Sequence, residues 1–159
     1  VEKIPSMDDN QILHLFNNAM RLSEKPEKAN EAEVVLLAIQ NEWLKRLLRY
    51  QQHQYKAATP EVGMLKTLGY HVGNDGDKSA KRRKILDFIM TGVLPPVSSP
   101  AYVAEWGEPR TSKRYRKLHR TIQALKSGAD HFDSMEKAAI EWAEDLQYIE
   151  ATWKTCAVD

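Results

Sequence analysis

The residues of this chain that could do chemistry are scattered, and their spacing argues against a reaction centre. Five histidines (His14, His53, His71, His119, His131) include no His-x-x-x-His pair and no cysteine neighbour, so the ligand spacing of a zinc site is missing. Cys156 is the only cysteine, which excludes an intrachain disulfide and a Cys-rich metal site and fits a reducing, cytoplasmic setting. Gly73-Asn74-Asp75-Gly76-Asp77 sets oxygen ligands between glycines. It has neither the twelve-residue frame ending in Glu of a calcium loop nor the Gly-Lys-Ser/Thr ending of a phosphate loop, and it reads as a turn. Asp75 and Asp77 beside Lys78 imitate the carboxylate and lysine set of a metal-dependent nuclease. Such sites draw their acids from adjacent strands, and none is predicted here, so helix capping by Asp77 is the stronger reading. His131 and Asp133 lie close in sequence with no nucleophile beside them. The sequence therefore assigns no catalytic residue and calls for no metal or cofactor.

Its basic residues, in contrast, are segregated. Between Lys78 and Lys126 stand twelve Lys and Arg against Asp87, Glu105 and Glu108, a net +9 in a chain whose formal charge is +1. The remainder is acidic, and residues 127–159 alone sum to −6. Lys81-Arg82-Arg83-Lys84 forms one cluster; Arg110, Lys113, Arg114, Arg116, Lys117, His119 and Arg120 form another. Within the second, Lys113, Arg116, Lys117 and Arg120 fall at i, i+3, i+4 and i+7 and share one helical face. Cations at the start of a helix oppose its dipole at a cost of about 0.3–1 kcal/mol, which solubility alone does not require. A basic stripe of this kind can neutralise phosphates along a groove. The competing claimant for its charge is the acidic C-terminal helix. Tyr102, Trp106 and Tyr115 flank the cluster and could stack on unpaired bases, although Trp106 reads better as a core residue.

The elements that must position these groups are helical. Ser6-Met7-Asp8-Asp9 reads as a capping box opening a helix over 7–22, with Ile12, Leu13, Phe16, Ala19 and Met20 inward. A long helix over 27–56 carries so many apolar residues (Val34, Val35, Leu37, Ala38, Ile39, Trp43, Leu44, Leu47, Leu48) that packing on more than one side is expected. Thr59 and Pro60 can start a short helix closed by Gly69. Asp77 or Ser79 caps a helix over 78–91 ended by Gly92, and three prolines keep 94–100 extended. Thr111 or Ser112 caps a basic helix stopped by Gly128, with Tyr115, Leu118, Ile122 and Leu125 inward; Ser134 caps a last helix over 135–154. No apolar run approaches the ~20 residues that span a bilayer. At 42% hydrophobic and 28% charged the chain has the composition of a folded domain. The expectation is all-α: residues 1–159 as a single compact bundle of five to six helices with a proline-rich connection. The start at Val1 without a Met points to a fragment of a longer protein.

Leu68-Gly69-Tyr70-His71-Val72-Gly73, Arg82-Arg83-Lys84-Ile85-Leu86, Leu94-Pro95-Pro96-Val97, Ser99 to Gly107 and Arg114-Tyr115-Arg116-Lys117-Leu118 together resemble a helical segment of uncharacterised bacterial proteins, over about residues 64–153. The resemblance implies a bacterial source and one folded unit, and no activity. The functional expectation is a non-catalytic accessory domain that binds nucleic acid, DNA foremost, through Lys81, Arg82, Arg83, Lys84, Arg110, Lys113, Arg114, Arg116, Lys117, His119 and Arg120. The alternatives are a protein-interaction module meeting an acidic partner surface in a larger complex, and a subunit of a metal-dependent nuclease.

Overall fold

In the computed structural model, which describes residues 1–56 and 62–155, all regular structure is helical. A 3-10 turn, Ile4–Ser6, leads into α1, Asp9–Leu22. The N-cap is Asp8 rather than Ser6: its carboxylate accepts from Gln11 N at 2.8 Å while the Gln11 side chain accepts from Asp8 N at 2.9 Å. Ser6 is spent closing the 3-10 turn, donating to Lys3 O. Then follow α2, Ala29–Gln51; α3, Met64–Thr67; α4, Ser79–Thr91; α5, Pro100–Trp106; α6, Ser112–Ala129; and α7, Glu136–Trp153, which is preceded by a 3-10 turn Asp133–Met135. The described residues thus hold seven α-helices where five or six are expected. The difference is α5, where the Ser99 hydroxyl accepts from Tyr102 N at 3.1 Å and Pro100 takes the first helical position. Residues 93–99 carry no helix. Thr59, Pro60 and Glu61, the expected start of the short helix, and Cys156 lie outside the described residues.

Other boundaries depart from expectation. The long helix ends at Gln51 rather than 56. Neither Asp77 nor Ser79 caps α4: its N-cap is Lys78, with no side-chain cap bond, and Asp77 accepts from Lys81 instead. Gly128 does not stop α6, which runs on to Ala129 with Asp130 at its C-cap. Ser134 sits inside the 3-10 turn and caps nothing.

The chain divides into two compact units. Unit 1 comprises Val1–Gly69 and Val93–Val103. There α1 packs on α2 by burying Ile12, Phe16 and Ala19 against Ile39 and Trp43, the Phe16 and Trp43 rings lying 5.2 Å apart at 45°. The segment 93–99 is tied down by Val93 N donating to Gln40 Oε1 and Tyr50 Oη donating to Ser98 O. A buried guanidinium organises the end of α2. Arg46 Nη1 meets Asp9 Oδ1 and Arg46 Nε meets Glu42 Oε1, both at 2.8 Å, while Nη2 donates to Met7 O at 2.6 Å. Tyr55 Oη closes the cluster by donating to both Asp9 oxygens. Burial pulls the Arg46 pKa down, but the hydrogen bonds and charge of Glu42 and Asp9 prevail and leave it above its ordinary value.

The buried side of α2 is Ala32, Ile39, Trp43, Arg46 and Tyr50. Packing on more than one side does not occur: Val34, Leu37, Leu44 and Leu48 are exposed.

Unit 2 comprises Tyr70–Gly92 and Ala104–Asp159. Its α6 and α7 fold back as a helical hairpin, the most extensive helix pair of the chain, and α4 packs on α7. Leu118 and Ile122 of α6 and Trp142, Ile149 and Trp153 of α7 are buried with Ile85, Leu86 and Ile89 of α4 and with Trp106. Leu125, expected inward, is 40% exposed.

Removing the Arg46 guanidinium leaves two buried carboxylates without their cation. Arg46→Ala is expected to destabilise unit 1 by about 3–5 kcal/mol, read as a lowered urea midpoint, whereas Lys45→Ala on the exposed side changes it by less than about 0.5 kcal/mol.

Candidate nucleic-acid interface

The two basic clusters lie in unit 2, and their members have different fates. Arg82, on α4, shares the inward register of Ile85 and Ile89 three and seven residues on, and it is 1% exposed. Its Nε donates to Asp145 Oδ2 at 2.8 Å, Nη1 to Asp77 O at 2.8 Å and lies 3.2 Å from Glu141 Oε1, and Nη2 reaches Glu144 Oε2 at 3.3 Å. Tyr70 Oη donates to the same Asp145 oxygen at 2.6 Å. Burial lowers the Arg82 pKa, and the Asp145 hydrogen bond and the charges of Asp145 and Glu141 more than reverse it. The same burial, with the Asp145 charge, drives the Tyr70 hydroxyl far above the ordinary tyrosine range and keeps it a donor.

Arg114 is the second basic residue withdrawn from the surface. It occupies the first turn of α6, whose N-cap Thr111 accepts from Arg114 N at 3.2 Å. Its guanidinium forms no ion pair with a carboxylate among the described residues. Nη1 donates to Ile89 O at 2.9 Å and Gly92 O at 2.8 Å, and Nε and Nη2 donate to Gly107 O. Gly107 has φ +71° and lies against the Lys113 side chain, so both its backbone and its space favour glycine. Burial brings the Arg114 pKa down to about 10, with Glu108 opposing, and the group stays a cation at neutral pH. Arg82 and Arg114, expected at a phosphate-binding face, are thus interior struts: each sits at a core register, and a buried guanidinium must spend its donors on internal acceptors.

The others remain nearer solvent. Lys81 pairs with Asp77 at 2.6 Å, Lys117 pairs with Glu105, and the His119 ring lies 2.7 Å from Glu150 Oε1 on α7. Lys84 is half-buried. Arg83 lies over the Tyr148 ring at 4.9 Å and Arg110 over the Trp153 ring at 5.9 Å. Tyr148 Oη and Trp153 Nε1 both donate to Asp87 at 2.8 Å, so one carboxylate positions two aromatic platforms that each carry an arginine. Lys113, Arg116 and Arg120 are exposed on α6 and meet no carboxylate among the described residues.

The acidic helix therefore claims a defined part of the basic window. Glu141, Glu144 and Asp145 are engaged with Arg82, and Glu150 with His119. Asp145 was open to detection: it is a charged residue between Trp142 and Ile149 on the inward side of α7. The Gly73–Gly76 segment is a turn, with Gly76 N donating to Gly73 O, and Gly73 N is tied to Glu141 Oε2 at 2.7 Å. Among the described residues no three His, Cys, Asp or Glu are grouped to hold a metal ion, and no helix is long and apolar enough to cross a membrane.

Comparison with protein-family models, with curated proteins and with solved structures finds no match to this chain.

A tyrosine proton retained in the fold and released on unfolding makes stability fall as pH rises. Above the unfolded tyrosine value of 10.0 the unfolded chain loses a proton that Tyr70 keeps. Thermal unfolding is expected to lose about 1.4 kcal/mol per pH unit from this one group above that point, and Tyr70→Phe to flatten the alkaline slope while leaving the neutral-pH slope unchanged.

Proposed function

We propose that unit 2 binds nucleic acid, DNA foremost, as a non-catalytic accessory domain, through Lys113, Arg116 and Arg120 with Arg83 and Arg110 as further contacts. The observation that carries this reading is that three cations spaced i, i+3 and i+7 on α6 meet no carboxylate among the described residues, although α7, packed alongside, supplies acids to Arg82 and His119. Placing Lys113 and Arg116 in the first turns of α6 opposes the helix dipole, an arrangement that an external phosphate would relieve. Arg83 and Arg110 lie over aromatic rings and form no ion pair among the described residues, which suits guanidinium recognition of phosphate. Lys81, Lys117 and His119, already paired with carboxylates, contribute less, and Arg82 and Arg114 contribute through the fold alone.

The alternative reading, a protein-interaction module within a larger bacterial complex, draws support from the exposed apolar side of α2.

Fluorescence anisotropy with labelled duplex and single-stranded DNA over a sodium chloride series tests the proposal. Three phosphate contacts predict a slope of log K against log salt of about −2.7 on duplex, and the two further contacts of Arg83 and Arg110 bring it to about −4.5. The triple variant Lys113→Glu, Arg116→Glu, Arg120→Glu is expected to abolish binding, and Lys126→Gln, whose amine is already paired with Asp130, to leave it unchanged. Affinity and slope that survive the triple reversal would refute the assignment.

A further inference from the structure

Two opposite sides of α2 are apolar, and among the described residues only one is covered. The buried side runs through Ala32, Ile39, Trp43, Arg46 and Tyr50. At 100° per residue the opposite side runs through Val34, Leu37, Asn41, Leu44 and Leu48. Its four apolar members are 58%, 60%, 47% and 52% exposed, and Asn41 is exposed between them. The successive intervals are three, four, three and four residues, the spacing of a coiled-coil seam, with Asn41 at a core position.

We infer that this seam is the interface of a homodimer in which α2 of one copy packs antiparallel against α2 of a second, about a two-fold axis at Asn41. Three observations single out a second copy as the occupant. The first is symmetry. Val34 and Leu48 stand seven residues either side of Asn41, and Leu37 and Leu44 four and three residues from it. Reversing the helix therefore lays Val34 on Leu48 and brings Leu37 within one residue of the level of Leu44, as a self-complementary two-fold interface requires. The second is Asn41 itself. An apolar partner would bury its amide unpaired, at a cost of about 1–3 kcal/mol, whereas a second Asn41 at the axis supplies both a donor and an acceptor.

The third is charge. The exposed charges of the first half of α2 are Glu31 and Glu33, and those of the second half are Lys45 and Arg49; Glu42 and Arg46, the only others, are buried. Glu31 is already met by Lys28 at 3.0 Å on the surface, in contact with solvent and open to a second cation. Antiparallel pairing sets the acidic half of each helix beside the basic half of its partner and opposes the two helix dipoles. Parallel pairing would set like charge beside like. The seam from Val34 to Leu48 is about 21 Å long at 1.5 Å per residue, which suits a concentration-dependent dimer rather than an obligate one.

Sedimentation equilibrium of the intact chain, from micromolar to sub-millimolar concentration, is expected to show a mass rising from 18.2 kDa toward twice that value. Leu44→Glu buries an unpaired carboxylate in the seam and is expected to weaken association by about a hundredfold, with helical circular dichroism unchanged because the residue is exposed in the monomer. Orientation is read by disulfide trapping in a Cys156→Ser background. Val34→Cys mixed with Leu48→Cys is expected to give the crossed disulfide, while Val34→Cys alone gives little. This arm decides the matter even if Leu44→Glu fails to fold. A chain that stays at 18.2 kDa throughout, a dimer indifferent to Leu44→Glu, or preferential self-crosslinking of Val34→Cys each overturns the proposal.

Discussion

Unit 2 depends on one buried ion pair. Asp145 is wholly inaccessible and Arg82 nearly so, and neither charge could be carried into an apolar interior alone. Their 2.8 Å contact is completed by Tyr70, by Glu141 and by the carbonyl of Asp77. These groups come from the loop before α4, from α4 itself and from the far end of the chain, so the pair fixes where α7 stands against α4 before any surface charge is considered. It also settles a competition. A helix as acidic as α7 could have neutralised the basic window at large; much of its charge is instead drawn inward to a single guanidinium.

Three buried arginines serve the same end by different means. Arg46 joins the start of α1 to the latter half of α2 through two carboxylates and a carbonyl. Arg82 joins α4 to α7 through carboxylates. Arg114 joins the start of α6 to the end of α4 and to Gly107 through carbonyls alone. The guanidinium suits this work because its five donors lie in one plane and stay charged when buried. A lysine could reach one or two of the same acceptors and would pay more to leave water.

Most of the fold was legible in the residue pattern, because helix register and caps are local. The inward sets of α1, α4 and α7, the Thr111 cap and the stop at Gly92 follow from spacing and from side chains within four residues. What misled was treating charge as a surface property. Arg82 shares a register with Ile85 and Ile89, Arg114 with Leu118 and Ile122, and Asp145 with Trp142 and Ile149. Each position is interior by period and polar by type, and only the coincidence of such residues on different helices could have revealed that they were partners. The long apolar run of α2 misled in the opposite sense. Hydrophobicity alone predicted packing on more than one side, while the three-and-four spacing of Val34, Leu37, Leu44 and Leu48 marks a separate, exposed side.

Arg114 carries one more consequence. Its acceptors are neutral peptide carbonyls, which satisfy its hydrogen bonds without cancelling its charge. A positive charge is thus fixed beneath the first turn of α6, and with a pKa of about 10 ordinary changes of pH do not remove it. Because the interior screens poorly, its field extends outward to the surface bearing Lys113 and Arg116. The positive potential at that end of the helix is therefore partly structural. Salt screens that field in solvent as it does the field of the exposed cations, and the Glu108 charge opposes part of it, but its source stays in place for as long as the fold is intact.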